Sequence, residues 1–210
     1  MNIKKNVKNV LDQIEGRARI VAASKYVAAS EISELYESGI ALMGENRVEA
    51  FLEKKNMVDA PVEWHFIGTL QSRKAKNVIN EISCLHSLDR LSLANEIEKH
   101  RQSPLECFVQ VNVANEASKQ GIAAEELLDF LEALKSYEKI KVTGLMAMAP
   151  HTEDENEQRA VFRALRKLKD EAVQAGHSQL SELSMGMSND YLIAIEEGAT
   201  IVRLGSVLFE

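Results

Sequence analysis

Short apolar segments alternate with longer amphipathic ones along all 210 residues. Arg19-Ile20-Val21-Ala22-Ala23-Ser24 predicts a strand, and Ile32, Leu35 and Tyr36 on one face predict the helix after it, closed by Gly39. Ile40-Ala41-Leu42-Met43-Gly44 predicts a second strand, followed by a helix around Phe51 and Leu52 and a third strand at Val62-Glu63-Trp64-His65-Phe66-Ile67. Helical spacing continues through Val78 and Ile82 to a strand at Cys84-Leu85-His86-Ser87, and a helix covers Leu91 to His100. Phe108-Val109-Gln110-Val111-Asn112-Val113 is the clearest strand, alternating and rich in β-branched residues. Leu127, Leu128, Leu131 and Leu134 mark the next helix, and Val142-Thr143-Gly144-Leu145-Met146 the next strand. A long helix is predicted to open at Thr152, with Glu155 completing a capping box, and to run through Val161, Leu165, Leu168 and Ala172 to Gly176. Leu183-Ser184-Met185, a short helix from Asn189 to Glu197 and a last strand at Thr200-Ile201-Val202-Arg203-Leu204 complete the chain.

About eight β/α alternations with no linker imply a parallel sheet covered by helices. A doubly wound sheet competes, but so many strands in ~200 residues fit a single (β/α)₈ barrel over residues 1–210 better. Pro61, Pro104 and Pro150 all fall in predicted loops.

Composition narrows the function classes. The hydrophobic content of 45% and charged content of 27% suit one globular domain. A net charge of −7 argues against nucleic acid, and the basic cluster Arg73, Lys74 and Lys76 reads as a solvated helix face. There is no apolar run of ~18 residues and no signal-like N-terminus, so a cytoplasmic protein off the membrane is expected. Cys84 and Cys107 form no CxxC pair, and the five histidines show no HxxxH spacing, so no metal site is expected.

Barrel enzymes and binders carry their functional residues at the C-terminal ends of the strands, with phosphate sites at the last two βα loops. The first predicted strand ends in Ser24-Lys25. Desolvation there would lower the proton affinity of the lysine and make its amine nucleophilic, although a surface lysine would give the same sequence. Asn46, after Gly44-Glu45, offers a donor and an acceptor to the barrel mouth, or caps the next helix. Met185-Gly186-Met187-Ser188 before a helix and Gly205-Ser206 after the last strand are small, polar and adjacent in a closed barrel, which favours phosphate. Arg203 shares the face of Gly205 and would project inward. A lysine, a phosphate site and an arginine at one barrel mouth are the parts of a pyridoxal 5′-phosphate (PLP) site.

At these residues the sequence resembles the pyridoxal phosphate homeostasis proteins, whose barrel is similar to that of alanine racemase. The matching segments are Ala23-Ser24-Lys25, Gly44-Glu45-Asn46, Trp64-His65-Phe66-Ile67-Gly68 with Leu70-Gln71-Ser72, Gln110-Val111-Asn112, Gly144-Leu145-Met146, Leu183 to Ser188 with Asp190-Tyr191, and Val202 to Ser206. The resemblance implies a Schiff base on Lys25, Asn46 near the ring and Arg203 at the pyridine nitrogen. It also implies that Ser188, Gly205, Ser206 and the backbone around Met187 hold the phosphate. Thr69 and Arg73 depart from the residues common in the family, and many members continue past the position of Glu210, so the N-terminal stretch is expected to help close the barrel. The expected function is PLP homeostasis without substantial turnover, in a monomer that passes the cofactor to apo-enzymes, with Lys119 a candidate second amine. A PLP-dependent racemase is the alternative, with Tyr26 and Tyr191 the tyrosines nearest the site in sequence. A Schiff-base aldolase is a third reading.

Overall fold

The computed structural model describes residues 2–25, 27–113, 120–150 and 152–210. Eight parallel strands close into a barrel: β1 (Arg19–Ala23), β2 (Leu42–Glu45), β3 (Glu63–Phe66), β4 (Cys84–Leu88), β5 (Leu105–Asn112), β7 (Ile140–Met146), β8 (Glu182–Ser184) and β9 (Ile201–Leu204). β1 pairs with both β2 and β9, and β4 with β5 closes the ring. A two-residue strand, β6 (Ile122–Ala123), pairs with the end of β5 outside this ring. The single barrel expected from the alternation is therefore the fold, and the doubly wound sheet is not.

Two periods of burial build it. Alternate strand residues point inward, where Val21, Cys84, Phe108, Met146 and Ile201 form a small apolar cluster of their own. The other set, including Ala22, Met43, Leu85, Val109 and Val202, packs against the helices in the main core. The helices are α2 (Ala29–Glu37), α3 (Val48–Lys55), α4 (Leu91–His100), α5 (Leu127–Leu134), α6 (Glu155–Gln174) and α7 (Tyr191–Glu196), with a last short turn, α8 (Ser206–Phe209).

The N-terminal stretch is a helix, α1 (Ile3–Ile14), capped where Lys5 N–H donates to Asn2 Oδ1 at 3.0 Å. Its buried stripe Ile3, Val7, Val10 and Ile14 packs near α2, α7 and α8, and the Asn6 amide donates to Leu208 O at 3.3 Å. α1 thus lies beside the short turn α8 that follows the last strand.

Two local expectations are corrected. The segment after β3 forms only a 3₁₀ helix, Ser72–Asn77, rather than an α-helix through Ile82. Arg101 donates to the carbonyls of Ile79 and Ile82, so a tertiary partner satisfies backbone groups that a helix would have satisfied internally, and the Asn80 side chain bonds His100 O and Gln102 N. The capping box at Thr152 does not form either. α6 starts three residues later, with Asp154 Oδ1 accepting from Asn156 N–H at 2.8 Å, while Thr152 Oγ1 accepts from Asp154 N–H at 3.1 Å. The carboxylate is the better N-terminal acceptor, being charged against the helix dipole.

Candidate functional site

In-phase positions on β1 run Val21, Ala23, Lys25, which brings Lys25 to the C-terminal mouth of the barrel. A cavity of about 630 Å³ opens there, lined by Lys25, Met187, Ser188, Arg203, Gly205 and Ser206 among others. Six of the seven predicted site residues thus share one cavity. Lys25 is exposed on its rim, so the desolvation expected at the strand end is not met by this chain alone.

Behind Lys25 lies a polar brace. Ser24 Oγ donates to Glu45 Oε1 at 2.8 Å, and Lys54 Nζ reaches the same oxygen at 2.5 Å and also bonds Ser24 O. Glu45 is wholly buried, so the ion pair is shielded from water and ties the β1 and β2 ends to α3. This arrangement holds the backbone from which Lys25 projects.

Asn46 does not line the cavity. It lies on the next strand end, with its backbone and Cβ against Gly68, where any added Cβ would fall 2.4 Å from Asn46 O. The glycine of the Trp64–Gly68 segment is there to allow this approach. Asn46 Oδ1 is buried without a hydrogen-bond partner, an acceptor held ready for a donor.

The two small-residue loops meet as expected. Ser188 Oγ accepts from Gly205 N–H at 3.0 Å and from Val207 N–H at 3.4 Å, so two backbone donors converge where an oxygen sits. Met187 N–H is already engaged by Asp190 Oδ1 at 2.5 Å. Gly186 adopts φ +93°, and a Cβ there would lie 2.5 Å from Ala194 Cβ, so only glycine makes this turn. Burial raises the Asp190 pKa, an effect opposed by Met187 N–H and the nearby Arg203 charge. The helix expected from Asn189 starts at Tyr191, leaving Gly186–Asp190 as an open turn facing the cavity.

Arg203 forms the cavity's inner wall, 5% exposed. Its Nη1 donates to Ser184 Oγ at 2.7 Å and its Nη2 to Ala147 O at 3.1 Å. Burial lowers its pKa to about 10, with Asp190 opposing, which still leaves a cation at neutral pH. The partners it needed are a hydroxyl and a carbonyl rather than a carboxylate.

Sequence reasoning missed what stands behind Arg203. Ser184 Oγ lies 2.8 Å from His86 Nδ1, and His86 Nε2 lies 2.9 Å from His65 Nδ1. His86 also stacks on Phe108, ring centroids 4.6 Å apart. Burial lowers the His65 pKa to about 4 and takes His86 well below the usual imidazole value. Cys84 Sγ is within 4.8 Å of these ring nitrogens. The facing nitrogens are already bonded to each other and burial pushes the Cys84 thiol well up, so the trio has the geometry of a hydrogen-bonded chain beside a protonated thiol. The inward phase of Cys84 and His86 on β4 was the available signal, but not which strands stand opposite.

Two further expectations resolve differently. Tyr191 donates its hydroxyl to Gln13 on α1, outside the barrel and away from the cavity. Tyr26 and Lys119 lie outside the described residues.

A closed barrel with a lysine, an arginine and converging backbone donors at one mouth defines a class of cofactor-binding barrels, and the comparisons agree. Residues 1–210 match the model of the alanine racemase N-terminal domain. The pyridoxal phosphate homeostasis protein of Aquifex aeolicus is 40% identical over 223 residues, covering 100% of this chain and 98% of its own. That of Pseudomonas aeruginosa is 39% identical, covering 90% of this chain and 83% of its own. Among solved structures, PipY of Synechococcus elongatus with PLP bound superposes with TM-score 0.91 at 29% identity, covering 99% of this chain and 100% of its own. Alanine racemase of Clostridium difficile superposes with TM-score 0.85 at 14% identity; this chain covers 56% of it, and the likeness is one of fold. The chain belongs to the alanine racemase N-terminal domain family, within its pyridoxal phosphate homeostasis proteins.

Proposed function

We propose that the chain binds PLP in the cavity at the barrel mouth, as a Schiff base on Lys25, and serves intracellular PLP homeostasis without substantial catalytic turnover. The observation that carries this is the convergence of Lys25, Ser188, Arg203, Gly205 and Ser206 on one cavity. PLP binding by PipY, whose fold this chain shares over nearly its whole length, supports the same reading. The N–H groups of Gly205 and Val207, which already converge on one oxygen, fit a ligand that has an anionic group.

When bound, the cofactor supplies an aldehyde for the lysine amine and a pyridine ring able to draw electrons. Ser188, Ser206 and the backbone at Gly205 would hold its phosphate, with the turn at Met187 shaping that end, and Asn46 would lie near the ring. Arg203 would face the pyridine nitrogen. A guanidinium only donates, so that nitrogen stays an acceptor and the ring a weak electron sink. Poor electron withdrawal, with Tyr191 turned outward, favours holding the cofactor over transforming an amino acid. In this reading the protein acts in the cytoplasm as a monomer, and PLP-requiring apo-enzymes receive what it releases.

Visible absorbance of the protein mixed with PLP tests binding, and chiral chromatography with common amino acids tests turnover. A PLP-dependent band that is lost in Lys25→Ala, with racemisation far below the ~10 s⁻¹ typical of enzymes, is expected. No band would remove the cofactor reading. Turnover near that rate that needs Lys25 would promote the racemase.

A further inference from the structure

The polar residues behind Arg203 form a line across the barrel interior, and their proton inventory gives it a direction. Arg203, Ser184, His86 and His65 are 5%, 0%, 0% and 4% exposed, so water is not a general partner for them. Arginine has no acceptor, so Ser184 Oγ must accept from Arg203 Nη1. Among the described residues, the single hydroxyl proton of Ser184 then has one partner, His86 Nδ1. That makes Nδ1 the acceptor and places the proton of neutral His86 on Nε2, where it is donated to His65 Nδ1. His65 in turn carries its proton on Nε2, on the far side of the ring. The reverse polarity would have Ser184 accept twice and leave a buried hydroxyl proton without an acceptor, which is costly.

The line runs toward the other end of the barrel. His65 lines a second cavity, of about 330 Å³, at the opposite end of the barrel from Lys25. Charged groups around that cavity are paired, Arg19 with Glu182 at 3.0 Å and Lys141 with Glu106 at 2.8 Å, with Glu63 also on the wall. The low proton affinity of both imidazoles agrees with neutral rings in fixed tautomers.

We propose that Ser184, His86 and His65 are positioning residues: a one-way chain of hydrogen bonds, Arg203 to Ser184 to His86 to His65, that locks the Arg203 guanidinium and aims its remaining donors at the PLP-side cavity. This deepens the functional reading above, and only the aim at the pyridine nitrogen rests on it. The chain acts through Arg203 and touches no ligand itself. Because it is neutral throughout, it adds no second cation beneath the guanidinium and provides no carboxylate that could protonate the ring nitrogen from below.

Nitrogen-15 NMR of the unloaded protein tests the chain without any cofactor. At pH 7 both His65 and His86 are expected as neutral Nε2–H tautomers, and Arg203 is expected to show separate, slowly exchanging Nη signals. In Ser184→Ala and His86→Phe the Nη1 signal should lose its slow exchange, while Nη2 keeps its bond to Ala147 O. His86→Gln should preserve that slow exchange, since its amide can accept from Ser184 and donate to His65. PLP release from loaded protein should quicken about tenfold in His86→Phe, the order of one lost charge-assisted hydrogen bond, and far less in His86→Gln. An Nδ1–H tautomer or an imidazolium at either ring, or an Nη1 signal unchanged in a folded His86→Phe variant, would overturn the chain. Native protein that takes up no PLP would sink the functional proposal instead, and the guanidinium signals would then decide the chain alone.

Discussion

At the scale of single residues, the end of the cavity proposed to hold the phosphate is built from groups that already bind an oxygen. Ser188 Oγ holds the N–H groups of Gly205 and Val207, a place that a phosphate oxygen could take over. Ser188→Ala with Ser206→Ala removes two hydroxyls, each worth roughly 1.5–3 kcal/mol against a charged acceptor. PLP retention on gel filtration should fall by at least about tenfold. Retention equal to the native protein would place the phosphate elsewhere. Residue types at strand ends made this site legible, because Lys25, Ser188, Arg203, Gly205 and Ser206 each follow from in-phase counting on a barrel strand or from its loop. Ser184, His86 and His65 were not legible in the same way. Their meaning lies in contacts between β3, β4, β8 and β9, and the chain order places His86 and Ser184 98 residues apart.

At the scale of elements, α1 is part of the barrel's closure. Ile14 is 1% exposed in its buried stripe, so Ile14→Ala should cost about 2–5 kcal/mol, read from urea unfolding. A loss within ~0.5 kcal/mol, the range of surface changes, would mean that α1 is a detachable arm. The stripe Ile3, Val7, Val10, Ile14 has helical spacing, with the exposed Lys4, Lys5 and Lys8 between its members. The segment Ser72–Asn77 does not follow its spacing: Ala75, Val78, Ile79 and Ile82 have helical spacing, but the Arg101 and Asn80 bonds redirect the backbone.

A second element-scale device ties α6 to α7. Glu197 lies 2.8 Å from Arg163 Nε and 3.1 Å from Arg159 Nη1, and the bond to Arg163 is the main cause of its lowered pKa. A carboxylate with a depressed folded-state pKa adds stability that is full above its unfolded value, ~4.3, and is lost as pH falls through the folded value. The melting temperature of Glu197→Gln should therefore lie below that of the native protein at pH 7, with the gap closing as pH drops below about 4. An equal gap at both ends of this range would show that the carboxylate's charge contributes nothing.

At the scale of the whole molecule, the barrel separates two polar ends. One mouth gathers Lys25, Arg203 and the two phosphate-suited loops; the other holds paired surface charges around His65. An apolar cluster of Val21, Cys84, Phe108, Met146 and Ile201 shares the interior with the Arg203–His65 line. The single-barrel architecture was legible because parallel strands and covering helices alternate without interruption, which few other folds of this size allow. In the proposed function, this arrangement presents one amine, that of Lys25, to PLP. Borohydride reduction of the PLP-loaded protein, followed by peptide mapping, tests it most directly. The reduced adduct is expected on Lys25 as the main product, at close to one per chain. A main adduct on any other lysine would contradict it.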